Sequence, residues 1–289
     1  MGISASDVKK LRQMTGAPMM ECKKALEEAN GDLDGAVKVL RERGIAKAAK
    51  RSDRVTSEGV IRIKCDDGNR RGTAVVVTCE TDFTAKNDQF QSMADAVAAS
   101  AHGMAGDELT AAQVIESEHD GMTVKQRLED VANAIRENMG LHQVVRYAGV
   151  CGGYVHHTGK KGALLEFGLG DDSHAGSDAV SQVISEVAMH IVASDPPPLA
   201  VDASGIDPKV VEDEKEFLVK QAMDSGKPEE IARKMVEGRM KKFYSERALV
   251  DQPFIKDASK TIGQVVEEAG KSAGTEMKIN RFSRFQIGE

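Results

Sequence analysis

Two stretches of this chain carry one and the same apolar stripe. Phe90, Met93, Ala94, Val97, Ala98 and Ala101 stand at i, i+3, i+4, i+7, i+8 and i+11, and the spacing returns at Val180, Val183, Ile184, Val187, Ala188 and Ile191. Such a stripe is one face of a helix that must be buried against another element. Strand-like runs precede each helix. Before the first, Ile61, Ile63 and Cys65 alternate with Arg62 and Lys64, and an Asp67-Gly68 turn leads into "GTAVVVTC". Before the second come "QVVRYAGV" and "GALLEFGLG". The pattern predicts an α+β fold with two related sub-domains, residues 59–142 and 143–206, each an antiparallel sheet covered by a helix. A chain of 289 residues is long enough for more than one such unit.

The flanks read differently. Ser4 and Asp7 open a first short helix that Gly16 stops, with Val8 and Leu11 on one face. Cys22, Ala25, Leu26 and Ala29 form a second stripe ending at Asn30-Gly31, and Leu33, Ala36, Val37 and Leu40 a third, ending at Gly44. Residues 1–46 are therefore expected as a three-helix domain, followed by a basic linker at 47–58. Residues 207–245 read as two charged helices around "DSGKP", whose apolar residues (Phe217, Leu218, Ile231, Met235, Met240 and Phe243) are too few for an independent core. A protruding helical hairpin is expected there. Residues 246–289 supply a last helix on Ile262, Val265, Val266 and Ala269, and a terminal strand that completes the core.

Charge and composition remove several classes of function. A net charge of -7 argues against binding a phosphate backbone, so no nucleic-acid partner is expected. No run approaches the roughly 18 apolar residues of a membrane span, and the start lacks the apolar core of a leader, so a cytoplasmic protein without a membrane partner is expected. The four cysteines, Cys22, Cys65, Cys79 and Cys151, lack metal-finger spacing. They are expected reduced and buried, with Cys65 and Cys79 either small core residues or facing each other across the first hairpin.

Catalytic signatures are missing. "GGYVHHTGKKG" is glycine-rich and basic, yet five residues separate Gly153 from the Gly-Lys pair where a phosphate loop has four, and Lys161 stands where the magnesium hydroxyl belongs. His156 and His157 are adjacent, so on a strand they would point to opposite faces and could not share one metal. His190 reads as a residue at the helix surface or core edge. The acids of "EDEKE" alternate with lysine as a solvated face does. Neither an enzyme, a cofactor, a metal nor a small-molecule substrate is expected.

Several blocks, in order along nearly the whole chain, resemble one family. "VKKLRQMTGAPMMECKKALEEANGDLDGAVKVLR" is similar to the ubiquitin-associated (UBA)-like N-terminal domain of bacterial translation elongation factor Ts, and "TDFTAKNDQF" resembles that family's TDFVAKN signature. "AMHIVASDPP", "SGKPEEIARKMVEGRMKKF" and "QPFIKDASKTIGQVVEE" resemble its later blocks. The chain departs at Thr84, where the family usually has Val, and at the proline-rich "DPPPLAVDASGID".

What the resemblance implies is a guanine-nucleotide exchange factor for the GTPase elongation factor Tu. Thr81, Asp82, Phe83 and Thr84 would enter the partner near its magnesium site, with Phe83 as a wedge and Asp82 as its polar aid. Arg12, Met19, Met20, Asn87 and His156 would make further contacts. Other readings are an adaptor that captures partners through the N-terminal helices and, more remotely, an enzyme acting through the His156 region. A bland role is also open to Phe83, as a cap folded back toward Phe90, and to Met20, as a core residue. From the failed loop spacing, calorimetry of the isolated protein against GDP and GTP should show no micromolar binding, and a micromolar isotherm would contradict that reading.

Overall fold

The computed structural model describes residues 3–49, 51–226 and 228–288. It divides into two compact units, one of residues 3–62, 74–145 and 286–288, the other of residues 63–73 and 146–285.

The first unit opens with α1 (Ala5–Thr15), α2 (Met19–Glu28) and α3 (Leu33–Ala49). Local chemistry sets their ends. Ser4 Oγ accepts from Asp7 N at 3.1 Å, and Gly16 closes α1 in the left-handed region at φ 66°. Leu11, Cys22, Ala25 and Leu26 are fully buried between the helices. Gly44, however, does not stop α3, and the expected linker begins only beyond Ala49. The alanine-rich run after it favours helix enough to offset one glycine, at a cost of about 1 kcal/mol. Gly44 serves another purpose, because a Cβ there would collide with the Asn133 side chain of a neighbouring helix. Arg51, also buried, donates to that Asn133 at 2.8 Å.

The hairpin β1 (Glu58–Cys65) and β2 (Arg71–Cys79) follows, then a single turn α4 (Asp82–Ala85) and α5 (Asp88–Gly103). Next come α6 (Ala111–Glu116), the two-residue strands β3 (Glu118–His119) and β4 (Met122–Thr123), α7 (Val124–Ile135), which carries Asn133, and β5 (Met139–Ala148). The sheet runs in the order β1-β2-β5. All six stripe residues of α5 are buried with Val75, Val77 and Cys79 of β2. Each of the larger of these side chains, Phe90, Met93 and Val97, contributes about 1.5–3 kcal/mol by its burial. Helices α6 and α7 have thinner apolar faces, and their starts are marked by capping boxes at Thr110/Gln113 and Thr123/Gln126.

The second unit contains β6 (Val150–Val155), β7 (Lys161–Leu169), α8 (Asp178–Ala193), α9 (Pro208–Asp224), α10 (Glu229–Arg247), β8 (Pro253–Phe254), β9 (Asp257–Thr261), α11 (Ile262–Ala273) and β10 (Met277–Gln286). Its sheet is ordered β10-β7-β6, and α8 buries its whole stripe against Ala163, Leu165 and Phe167 of β7. "QVVRYAGV" lies mostly in β5 of the first sheet, and the partner of β7 is "VCGGYV", paired antiparallel from Val150–Phe167 to Val155–Gly162. Gly152 and Gly153 weaken its strand signature, and packing requires them. A Cβ on Gly152 would collide with Ile184 of α8, and one on Gly153 would lie 2.6 Å from the Ala163 carbonyl.

The hairpin of α9 and α10 buries Leu218, Val236 and Met240, while Phe217 stays 59% exposed and Ile231 and Met235 also face solvent. Cys22, Cys79 and Cys151 are buried, but Cys65 is exposed. It stands at the turn end of β1 and Cys79 at the far end of β2, so the two do not face each other across an antiparallel hairpin. Among the described residues no helix is long and apolar enough to cross a membrane.

His190 is buried rather than at the core edge. Its Nδ1 accepts from Ile255 N at 3.3 Å, which leaves the proton on Nε2, 2.9 Å from Gln252 Oε1. Gln252 in turn donates to the carbonyls of Pro196 and Glu246. Burial pushes the His190 pKa down, and the hydrogen bond to Gln252 opposes it. A histidine held neutral in the fold but free to protonate when unfolded contributes its stability above about pH 6.5, and that contribution erodes as pH falls from there through the depressed folded value. Chemical denaturation from pH 7.5 to 5 should therefore show falling stability, by at most about 1.4 kcal/mol per pH unit from this group. His190→Gln, which keeps a donor and an acceptor, should flatten that part of the profile; parallel profiles would remove His190 as the cause.

Candidate functional site

The chain leaves β2 at Cys79 and makes the one-turn helix α4 before α5 begins, so residues 80–87 must satisfy two helix starts in quick succession. Thr81 caps the first. Its Oγ1 accepts from Thr84 N at 3.2 Å. Asn87 caps the second, Oδ1 accepting from Gln89 N at 2.9 Å, and its own amide donates to the Thr84 carbonyl at 3.0 Å. Thr84 and Ala85 are buried beneath the turn, and Gln91 of α5 donates to the Ala85 carbonyl.

That arrangement decides where Phe83 goes. With Thr84 and Ala85 turned inward, the preceding residue projects outward, and its side chain is 83% exposed. Phe90, toward which the ring could have folded, is fully buried in the α5 core. The reading of Phe83 as a core cap is thus excluded. Beside it, Asp82 and Lys86 form an ion pair at 2.9 Å on the exposed flank. The hydrogen bond and charge of Asp82 raise the Lys86 pKa, but at an exposed pair of this kind the stabilisation is small.

A second set of residues holds the turn from behind, and no sequence motif announces it. Helix α7 ends at Arg136, in the left-handed region at φ 70°, and the chain swings so that Glu137 and Asn138 meet residues 80 and 81. Thr81 donates its amide to Glu137 Oε2 at 3.1 Å and its hydroxyl to Glu137 Oε1 at 2.8 Å. Reciprocally, Glu80 Oε1 accepts from Asn138 N at 2.5 Å and from Arg54 at 3.3 Å. Asn138 Nδ2 reaches the carbonyls of Ser52 and Arg54 at 3.3 and 2.8 Å.

The remaining candidates sit elsewhere. Arg12 is exposed on α1, and Met19 and Met20 are 49% and 63% exposed at the first turn of α2, so Met20 is not a core residue of the helical module. His156 belongs to the second unit. It lies in the β6–β7 turn rather than on a strand, where its ring stands 4.1 Å from that of His157 instead of on the opposite face, and its Nδ1 is 3.2 Å from the Tyr154 hydroxyl. The same turn absorbs the Gly-Lys motif. Gly159 N donates to the His156 carbonyl at 2.7 Å with φ 73°, a hairpin connection that leads into β7, whereas a phosphate loop leads into a helix. Among the described residues no group of three or more His, Cys, Asp or Glu side chains is arranged to hold a metal.

Comparison with known proteins shows what the chain is similar to. The family model described as elongation factor TS matches residues 80–289. The elongation factor Ts of Clostridium botulinum strain Eklund 17B is 40% identical over 99% of this chain and 93% of its own length. That of Alkalilimnicola ehrlichii is 41% identical over 100% and 93%, and that of Chloroherpeton thalassium 40% over 99% of both.

Because the Phe83 ring touches so little of the fold, Phe83→Ala should leave the melting temperature within about 2 °C of the parent, as for a surface substitution. Phe90→Ala should cost about 3–5 kcal/mol. Calorimetric melting of the two variants checks the contrast, and an equally large loss at Phe83 would show the ring to be structural.

Proposed function

The chain belongs to the elongation factor Ts family and so has a role in translation elongation, and from that premise we propose that it acts as the guanine-nucleotide exchange factor of elongation factor Tu. It binds the GDP-loaded GTPase, disturbs the magnesium and nucleotide site, lets GDP leave, and is displaced when GTP binds. It makes and breaks no covalent bond and acts by linkage. If the exchange factor and the nucleotide each weaken the other's hold on the GTPase, the complex of all three is high in energy and sheds either one quickly. A coupling of a few kcal/mol suffices for a factor of hundreds.

The observation that carries this reading is the solvent-facing Phe83 on a turn whose other residues are capped, paired or buried. A phenyl ring is large, stiff and loses little entropy on insertion, which suits it to part side chains near the partner's magnesium. Its binding energy is realised in the nucleotide-poor state, so it shifts the GTPase toward that state. In this reading Asp82, with Thr81 and Thr84, shapes and aids the wedge, and Asn87 contributes at its rim. Arg12, Met19 and Met20 dock the helical module on the GTPase; exposed methionines adapt readily to a partner. His156 makes a separate contact, and the arm of α9 and α10 offers Phe217, Ile231 and Met235 to a partner surface.

Stopped-flow release of fluorescent GDP from elongation factor Tu tests the reading. The parent protein should accelerate release, and Phe83→Ala should slow the stimulated rate at least about tenfold, or roughly 1.4 kcal/mol, with a smaller loss for Asp82→Ala. Full-speed release by Phe83→Ala would remove the wedge, and no acceleration by the parent would remove the exchange function.

A further inference from the structure

We propose that Glu137 is the positioning residue of the Phe83 turn, and that through its neighbour Asn138 it registers this turn to the segment 52–54 that leaves the helical module. The inference rests on the exchange-factor reading above and adds to it a residue 54 positions away from the wedge, which makes no use of the TDFTAKN motif.

Hydrogen-bond direction fixes the turn. The Thr81 hydroxyl has a single proton. Glu137 Oε1, 2.8 Å away, takes it, so an oxygen lone pair is left to face Thr84 N at 3.2 Å. The result is a directed chain from the Thr84 amide through the hydroxyl to a carboxylate, in which each bond polarises the next. Glu137 Oε2 holds the Thr81 amide as well, so one carboxylate orients both the cap and the backbone that bears it. Loss of that carboxylate frees the hydroxyl to rotate, and α4 is too short to persist on its own hydrogen bonds.

The second half of the device runs the opposite way. Glu80, one residue before Thr81, accepts from the amide of Asn138, one residue after Glu137. The segments 80–81 and 137–138 thus exchange side-chain carboxylates for backbone amides reciprocally, which fixes their register as well as their separation. Asn138 then spends its side-chain amide on the carbonyls of Ser52 and Arg54, and Arg54 returns a contact to Glu80. The turn that carries Phe83 and the exit of the helical module are therefore built on one short polar frame. Its place in the chain is set by Arg136, a non-glycine residue held at φ 70°, the kind of backbone position that persists where surroundings demand it. A wedge gains from such a frame because a ring displaced by about an ångström loses much of its effect on the atoms it must move.

The test measures stimulated GDP release against concentration of the full-length protein, separating the maximal rate from the half-saturating concentration. Glu137→Ala should lower the maximal rate about tenfold while the half-saturating concentration moves little. Glu137→Gln, which keeps one acceptor for the Thr81 hydroxyl, should fall between and also guards against a misfolded alanine variant. In a Phe83→Ala background, Glu137→Ala should add almost nothing, since a frame without its ring has nothing left to position. Amide hydrogen exchange of the variants supplies a readout independent of the partner: Thr81 and Thr84 should lose protection while the α5 amides keep theirs. An unchanged maximal rate in Glu137→Ala, or a full additional loss in the Phe83→Ala background, would overturn the proposal. Failure of the parent to stimulate release would instead strike the exchange reading, and the hydrogen-exchange result would still decide whether Glu137 holds the turn.

Discussion

A single carboxylate, that of Glu137, accepts both the amide and the hydroxyl of Thr81, and the conformation of the exposed turn follows from it. The capped hydroxyl starts α4, the start of α4 sends Thr84 and Ala85 inward, and their burial leaves Phe83 pointing out. Apolar burial could not do this by itself, because it would draw a phenylalanine toward the core beside Phe90. Directional bonds hold the backbone in an arrangement that keeps the ring in water.

The two units show a shared division of labour. In each, a helix with a stripe of six apolar residues lies over a sheet and buries the whole stripe against it, α5 in one and α8 in the other. Polar residues then settle what apolar packing leaves free. In the second unit, His190 and Gln252 join the end of α8 to the Pro196 and Glu246 carbonyls and to Ile255 N. Both ring nitrogens are occupied and the histidine is neutral, so the network is satisfied without a buried charge.

Much of this is legible in the sequence alone. The stripes of α5 and α8, the caps of α1 and the outline of the α9–α10 hairpin follow from spacing, because amphipathic periodicity reports which face is buried. The resemblance carried by "TDFTAKNDQF" located the exposed turn. What stayed hidden depends on contacts distant in sequence. Gly44 reads as a helix stop until Asn133 is seen against it, and Gly152-Gly153 reads as loop until Ile184 and the Ala163 carbonyl are seen to leave no room for a Cβ. The burial of His190 depends on Gln252, 62 residues away, and the role of Glu137 on Thr81, 56 residues away. No window of local sequence contains either pair.

The outward set of Phe83 bears on how a partner is met. The ring is already free of the core and its backbone already capped at both ends, so contact with a partner requires no prior opening of this turn. A preformed surface of that kind suits rigid-body encounter. In the turn as it stands the apolar contact area is preformed, with Phe83 exposed and the backbone on either side already hydrogen-bonded.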